Sequence, residues 1–208
     1  MKYNKYLVLL IALISILQGC AIDLKMKKVE LQSKSPLGEI KPLTILVGEF
    51  EDEIPVKDED KDAIGYAGAR KIVLNKNKKV ADIVSEAISN ELKRNGHNVI
   101  NSVGDNTSAD LIIKGCVSRC GYVSVPEGMW RVKFNTIMEL KVVYISGYSN
   151  KTLSRTYNGS MTRTWVWATM KDVKELIEIA FSNMVEEFAT DPEVLDMLKE
   201  LEKAKYKM

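Results

Sequence analysis

From Trp130 onward the chain alternates. Val132, Phe134, Thr136, Met138, Leu140, Val142 and Tyr144 take the even positions, and Arg131, Lys133, Asn135, Glu139 and Lys141 the odd ones. A period of two held over this length specifies a strand with one face on a core and the other in water. Such a strand needs neighbours, because its backbone donors and acceptors must be paired. The flanking sequence supplies them. Pro126 to Gly128 turns the chain on one side and Gly147 to Asn150 on the other, with extended segments from about Ala109 to Val125 and from Thr152 to about Trp165. Residues 109–165 therefore read as an antiparallel three-stranded meander.

Leu43 to Phe50 is a short apolar run rich in strand formers, and reads as a central strand buried on both faces. Glu51 to Asp62 is mostly charged and holds Pro55, and Gly65 and Gly68 point to irregular chain before Ile72, Val73 and Leu74. The period then becomes helical. Val80, Ile83, Val84, Ala87, Ile88 and Leu92 share a face, Lys93 and Arg94 sit in the last turn, and Gly96 stops the helix. Asn98 to Ile100 gives a short strand and Gly104 to Asn106 a turn. After the meander, Val173, Leu176, Ile177, Ala180, Phe181, Met184, Val185 and Phe188 mark a second helix. Asp191 and Pro192 end it and cap a third, whose apolar face is Val194, Leu195, Leu198 and Leu201. The expected fold is α+β, with a mostly antiparallel sheet of about four to five strands and helices packed on one face.

The first residues stand apart from that domain. Lys2 and Lys5 precede an apolar run from Tyr6 to Leu17 that lacks any acidic residue and is too short to remain as a transmembrane helix. It closes on Leu17-Gln18-Gly19-Cys20, which resembles the bacterial lipoprotein signal, although Gln18 is a less usual middle residue. The resemblance implies cleavage after Gly19, a diacylglyceryl group on the Cys20 thiol and an acyl group such as palmitate on the new amine. Ala21 after the cysteine further implies the inner leaflet of the outer membrane, with the domain facing the periplasm. One acyl chain binds a bilayer marginally, at ~0.8 kcal/mol per buried CH₂, so three chains make a lasting anchor. An ordinary signal peptide with an incidental cysteine is the alternative reading.

Residues 1–19 are thus expected as a signal peptide, 20–41 as a lipidated tether and 42–208 as a single periplasmic domain. The tether carries Lys25, Lys27, Lys28 and Lys34 with Ser33, Ser35, Pro36 and Gly38. As a flexible stretch it would reach roughly 25 Å, less if Val29 and Leu31 form a strand. Removing Lys2 and Lys5 with the signal leaves 28 basic and 28 acidic side chains. A neutral chain offers no whole-molecule attraction to nucleic acid, and none is expected as a partner.

Cys116 and Cys120 are the remaining cysteines, in a compartment where a disulfide could form. In a continuous strand they would share a face but lie about 13 Å apart at ~3.3 Å per residue, too far for a bridge. A kink at Ser118 would change this, so a local bond, free thiols and an intermolecular or metal role stay open. Two thiols with one distant histidine do not make a convincing zinc site, and no metal or cofactor is expected.

The Leu17–Cys20 signal, the strand ending in Phe50 to Pro55, Ile64-Gly65, the helix ending Glu91 to Gly96 and the strand opening Ser108 to Gly115 together resemble the YajG-like family of bacterial lipoproteins. Ile54 stands where such sequences more often carry an arginine-type residue. The resemblance covers most of the domain. It implies an outer-membrane-anchored periplasmic domain without enzymatic activity, and it carries over no catalytic residues.

The remaining motifs are weak. Asp58, Asp60 and Asp62 open like a calcium loop, but Ala63 and Ala69 replace its glycine and its bidentate glutamate, which favours a solvated acidic loop. His97 follows the Gly96 stop and reads as a turn residue, and no nucleophile motif accompanies it. Trp130, Trp165 and Trp167, with Tyr122 and Tyr157, fall in or beside the meander near Arg131, Arg155 and Arg163. Cross-strand packing explains such a set, and so does a protein interface, where aromatics and guanidinium groups concentrate. Trp130, Trp165, Trp167 and Arg163 are the candidate partner-binding residues. The expected function is a lipid-anchored, non-enzymatic accessory module that binds another envelope component, an envelope protein of unknown identity. A periplasmic carrier of a small apolar ligand or lipid is the alternative.

Overall fold

The computed structural model describes residues 22–24, 35–53, 63–67, 70–74, 78–100, 108–149 and 151–207. Cys20 with Leu17 and Gly19, and the Asp58–Asp62 loop, lie outside these residues. The strands are β1 (Ile22–Leu24), β2 (Thr44–Asp52), β3 (Ala63–Ala67), β4 (Arg70–Leu74), β5 (Asn98–Ile100), β6 (Leu111–Pro126), β7 (Val132–Ser146) and β8 (Thr152–Trp165). The helices are α1 (Val80–Arg94), α2 (Met170–Thr190) and α3 (Pro192–Tyr206).

Five strands form a mixed sheet in the order β5-β2-β6-β7-β8. The expected meander is present, since β6 pairs antiparallel with β7 and β7 with β8. The other half of the sheet is parallel: β2 runs alongside β5 on one edge and β6 on the other. Parallel pairing needs a crossover, and α1 supplies it between β2 and β5. The fold is α+β, as the order of elements implies. A second sheet, β1-β4-β3, was not expected. Gly65 and Gly68 suggested irregular chain, yet Ala63–Ala67 and Arg70–Leu74 pair as an antiparallel hairpin with a register shift between Ala63 and Gly65. β1 runs parallel to β4 and buries Leu24. Downstream, a single turn of 3-10 helix at Pro36–Glu39 buries Leu37, and Ser35 Oγ donates to the Ala189 carbonyl at 3.2 Å. Parts of the stretch read as tether are thus packed on the domain, which shortens its free reach.

The core lies between the mixed sheet and the helices. Ile45, Val47, Leu111, Ile113, Val117, Met138, Leu140, Val142, Tyr144 and Tyr157 meet Val84, Ile88, Ile177, Phe181, Met184 and Phe188 there. Gly159 on β8 allows α2 to lie close, because a Cβ at this position would collide with the Ala180 carbonyl. α2 also blunts the open edge of the sheet. Glu187 accepts from the Asn158 N–H at 2.6 Å, and Asn183 Nδ2 donates to the Ser160 carbonyl at 3.1 Å. These contacts occupy backbone groups that would otherwise invite another strand.

Caps set the helix boundaries. Thr169 Oγ1 accepts from the Asp172 N–H at 3.3 Å and the Asp172 carboxylate accepts from the Thr169 N–H at 2.8 Å, a capping box for α2. Asp191 caps α3 as its sequence implies, accepting from Glu193 N and Val194 N at 2.9 and 3.4 Å. The other oxygen of Asp191 takes Arg155 Nε at 2.7 Å and the Tyr157 hydroxyl at 3.0 Å, and Tyr157 meets the Tyr144 hydroxyl at 2.7 Å. This buried chain fastens the junction of α2 and α3 to the middle of the meander.

Candidate functional site

The meander strands run 14 to 16 residues, on the order of 50 Å each at ~3.3 Å per residue. The helices cover only part of that length. α1 starts level with Val117, because Asp52 pairs there and its carboxylate accepts from Ala81 N at 2.9 Å. Beyond it, β6, β7 and β8 continue to Pro126, Val132 and Trp165, and this distal end is where the structure leaves apolar side chains in solvent.

The turn between β6 and β7 is tied down by Glu127. Its N–H donates to the Arg131 carbonyl at 2.8 Å, and its carboxylate meets Thr164 Oγ1 at 3.2 Å and Lys133 Nζ at 3.9 Å. Gly128 takes a φ of +79°, which an L side chain rarely adopts. The closed turn presents Met129 and Trp130 at its apex, 86% and 71% exposed. Val166 and Trp167 follow β8, and Trp167 is 84% exposed. β7 and β8 pair Val132 with Trp165. Trp130 and Trp167 each lie two residues beyond that last pair, on the two segments that it joins.

Behind this apex an aromatic layer grades into the core. Tyr122 and Phe134 have ring centroids 6.1 Å apart, and Phe134 meets Trp165 edge-on at 5.3 Å. The Arg163 guanidinium sits 5.7 Å from the Trp165 ring and reaches Glu175 on α2 at 3.3 Å. Burial pushes the Tyr122 phenol above its usual range. On the opposite face Val123 and Val125 are exposed, as is Ile137. The end is therefore apolar on both faces and at its apex.

Trp130, Trp165, Trp167 and Arg163 thus gather at one end of the molecule. Tyr157 and Arg155 do not join them: both belong to the Asp191 network nearer the middle of the sheet. Sequence reasoning passed over Met129, Val166, Val123 and Val125. The signal for the two valines was present but hidden, because they leave the core face of Leu111, Ile113 and Val117 for the outer face only after an irregularity in β6 has been allowed for.

That irregularity also decides the cysteines. Val117 pairs with Leu140 and Arg119 with Glu139, so Ser118 is the extra residue of a bulge. Cys116 pairs with Lys141 on the outer face and Cys120 with Met138 on the core face. Both are free thiols. Burial, reinforced by Glu53, pushes Cys116 up to about 11, and burial pushes Cys120 up to about 12. Both thus stay protonated near neutral pH, the form that is neither nucleophile nor metal ligand.

His97, directly after the Gly96 turn, is buried. Its Nδ1 accepts from the Leu43 N–H at 3.3 Å, which places the proton on Nε2. Burial lowers its pKa, with Lys205 adding to the effect, against a contact with the Leu37 carbonyl. A groove of about 570 Å³ runs between β2 and α1, lined by Glu49, Asp82, Ser85, Glu86, Ser89 and Lys93 among others. Its walls are mainly polar. Among the described residues no group of three or more His, Cys, Asp or Glu side chains could hold a metal ion, and no helix is long and apolar enough to cross a membrane.

A family model described as uncharacterized lipoprotein matches residues 63–199. Among solved structures, protein XCC0632 from Xanthomonas campestris superposes with a TM-score of 0.52 at 12% identity, over 86% of this chain and 96% of that chain. It shares the fold. Lipoprotein GNA1162 from Neisseria meningitidis gives a TM-score of 0.26 at 14% identity over 65% and 93% of the two chains. A minor lipoprotein from Acinetobacter baumannii gives 0.37 at 10% identity over 79% and 95%. No protein with a curated description matches the chain.

Proposed function

The chain belongs to the YajG-like family of uncharacterized lipoproteins, and from that premise we propose that it is a lipid-anchored accessory module of the cell envelope that acts by binding rather than by catalysis. Cys20 carries the lipid, after cleavage between Gly19 and Cys20, and Ala21 directs the protein to the inner leaflet of the outer membrane. β1 begins at Ile22, two residues beyond that cysteine, or about 7 Å of extended chain. The anchor therefore holds the domain against the bilayer, not at the end of a long leash.

One observation carries the binding reading. Most large apolar side chains of the sheet and helices are buried, with Val143 and Tyr206 exposed singly, whereas Met129, Trp130, Val166 and Trp167 are the more exposed set at the far end of the meander. A concentrated apolar patch on a protein otherwise able to bury its core marks a contact surface. The anchor raises the local concentration of whatever that surface meets. The carrier alternative has less support, since the groove between β2 and α1 is lined mainly by polar side chains rather than by an apolar pocket.

Two measurements test this. Cys20→Ser should move the protein out of the membrane fraction, and persistence in carbonate-washed membranes would overturn the anchor. A photo-crosslinking residue placed at 130 or 167 should capture one reproducible envelope component that the same residue at Lys151 does not. Equal capture from both places removes the contact surface.

A further inference from the structure

Resting on the reading of the distal meander as a contact surface, we propose that this end seats on the face of a phospholipid bilayer, with Trp130 and Trp167 in its interfacial layer. The shape argues for lipid. A protein partner of ordinary kind covers one face of a ribbon, yet here the apex carries Met129 and Trp130, the following turn carries Val166 and Trp167, and the outer face adds Val123 and Val125. A narrow projection that is apolar on several sides fits a fluid medium that can close around it.

The side-chain chemistry agrees. Tryptophan, with an apolar body and a polar N–H, concentrates where hydrocarbon meets headgroups. Arg131, Lys133, Arg163 and Lys171 surround the end, against Glu127, Asp172 and Glu175. Lys133 and Arg163 are spent in part on Glu127 and Glu175, while Arg131 and Lys171 form no ion pair among the described residues. Long basic side chains can lay their stems along the apolar tip and hold their charge among anionic headgroups. Penetration need be only ~5–10 Å, the depth typical of interfacial elements. Membership of a lipoprotein family supplies the bilayer itself at molecular distance. Two contacts, one covalent lipid and one aromatic end, would fix the orientation of the domain on the membrane where a single anchor leaves it free to rotate.

The molecule provides its own reporter. Its three tryptophans, at 130, 165 and 167, all lie at this end. The lipidated full-length protein, reconstituted into phosphatidylethanolamine–phosphatidylglycerol vesicles, should lose roughly twofold or more of its tryptophan emission when the acyl chains are brominated, as interfacial insertion requires. Replacing phosphatidylglycerol by phosphatidylcholine, or adding salt, should weaken that quenching. Trp165→Phe should retain most of it, and Trp130→Phe with Trp167→Phe should abolish it. Emission that is indifferent to brominated lipid and open to acrylamide overturns the proposal. A protein adduct from position 130 or 167 in such a case shows that the contact surface is real and its partner a protein. Absence of both quenching and adduct removes the contact surface as well.

Discussion

The two halves of the meander share one sequence pattern and meet different fates. Near Tyr144 the even positions of β7 vanish beneath α2: Met138, Leu140, Val142 and Tyr144 are all buried, and the Tyr144–Tyr157–Asp191–Arg155 chain bolts the sheet to the helix junction. Near Val132 the same parity continues through Phe134, but these side chains are only half-buried and Trp130 is bare. Alternation specifies which face a side chain takes. What covers that face depends on the length of the helices and where they start. The proximal half is committed to stability, and the distal half leaves its apolar surface in solvent.

The contrast is broken most directly at Asp191. Replacing it with alanine removes the α3 cap, leaves the Tyr157 hydroxyl without its carboxylate and leaves the Arg155 guanidinium with Glu193 alone. Loss of a cap costs about 1 kcal/mol, and a buried group left unpaired about 1–3 kcal/mol, so Asp191→Ala should cost about 3 kcal/mol. Arg155 is a third exposed, and its share is discounted accordingly. Urea unfolding should show a large fall in midpoint at unchanged slope. Gly159→Ala comes next, at about 1–3 kcal/mol, because the added methyl must push α2 off β8. If either change is silent, the proximal half is not the rigid part of the molecule.

Legibility followed the same division. The strong periodicities of β7, α1 and α2 were readable because each element buries one face, and burial is what a periodic pattern records. The Asp191-Pro192 junction was readable because capping is local chemistry. The bulge at Ser118 was not, since a single extra residue leaves no mark in composition, and it places Cys116 and Cys120 on opposite faces, contrary to a continuous strand. The β1-β4-β3 sheet was missed for another reason. Its strands are three to five residues long, and pairing between distant segments overrides what Gly65 and Gly68 prefer locally. At the site, three aromatic positions and Arg163 were legible as a group, but Tyr157 could be separated from them only once the Asp191 network was seen.

A milder effect sharpens the comparison through pH. His97 is the sole histidine, so near neutrality it is the side chain whose ordinary pKa falls in the window. Burial holds its folded pKa below 6.5. The unfolded chain therefore takes up the proton first, and stability, full well above the unfolded pKa, should fall as pH drops through it toward the depressed folded pKa. His97→Gln, which keeps an acceptor for the Leu43 N–H, should flatten that slope. A wild-type stability that does not change across this range would mean that His97 is solvated. Nothing at the distal end should contribute to the slope, since no histidine lies there.

The smallest effect is expected where the exposed apolar surface is greatest. Trp130 and Trp167 contribute little packing to the folded chain, so Trp130→Ala and Trp167→Ala should each change stability by no more than about 0.5 kcal/mol, the range of ordinary surface substitutions. Trp165→Ala, which takes away the edge contact with Phe134 and the stack under Arg163, should cost more than either. Thermal melts of the three variants order them directly. A selection for stability alone would not keep two bare indoles, one in the closed turn after β6 and one just past β8, because exposed aromatic surface favours self-association. Near-neutral melts for the two outer tryptophans, together with loss of lipid quenching or of the crosslinked adduct, would separate contact from folding within a single sheet. If the outer pair instead costs as much as Trp165, the aromatic end is an extension of the core, and the difference between the two halves of the meander is one of degree.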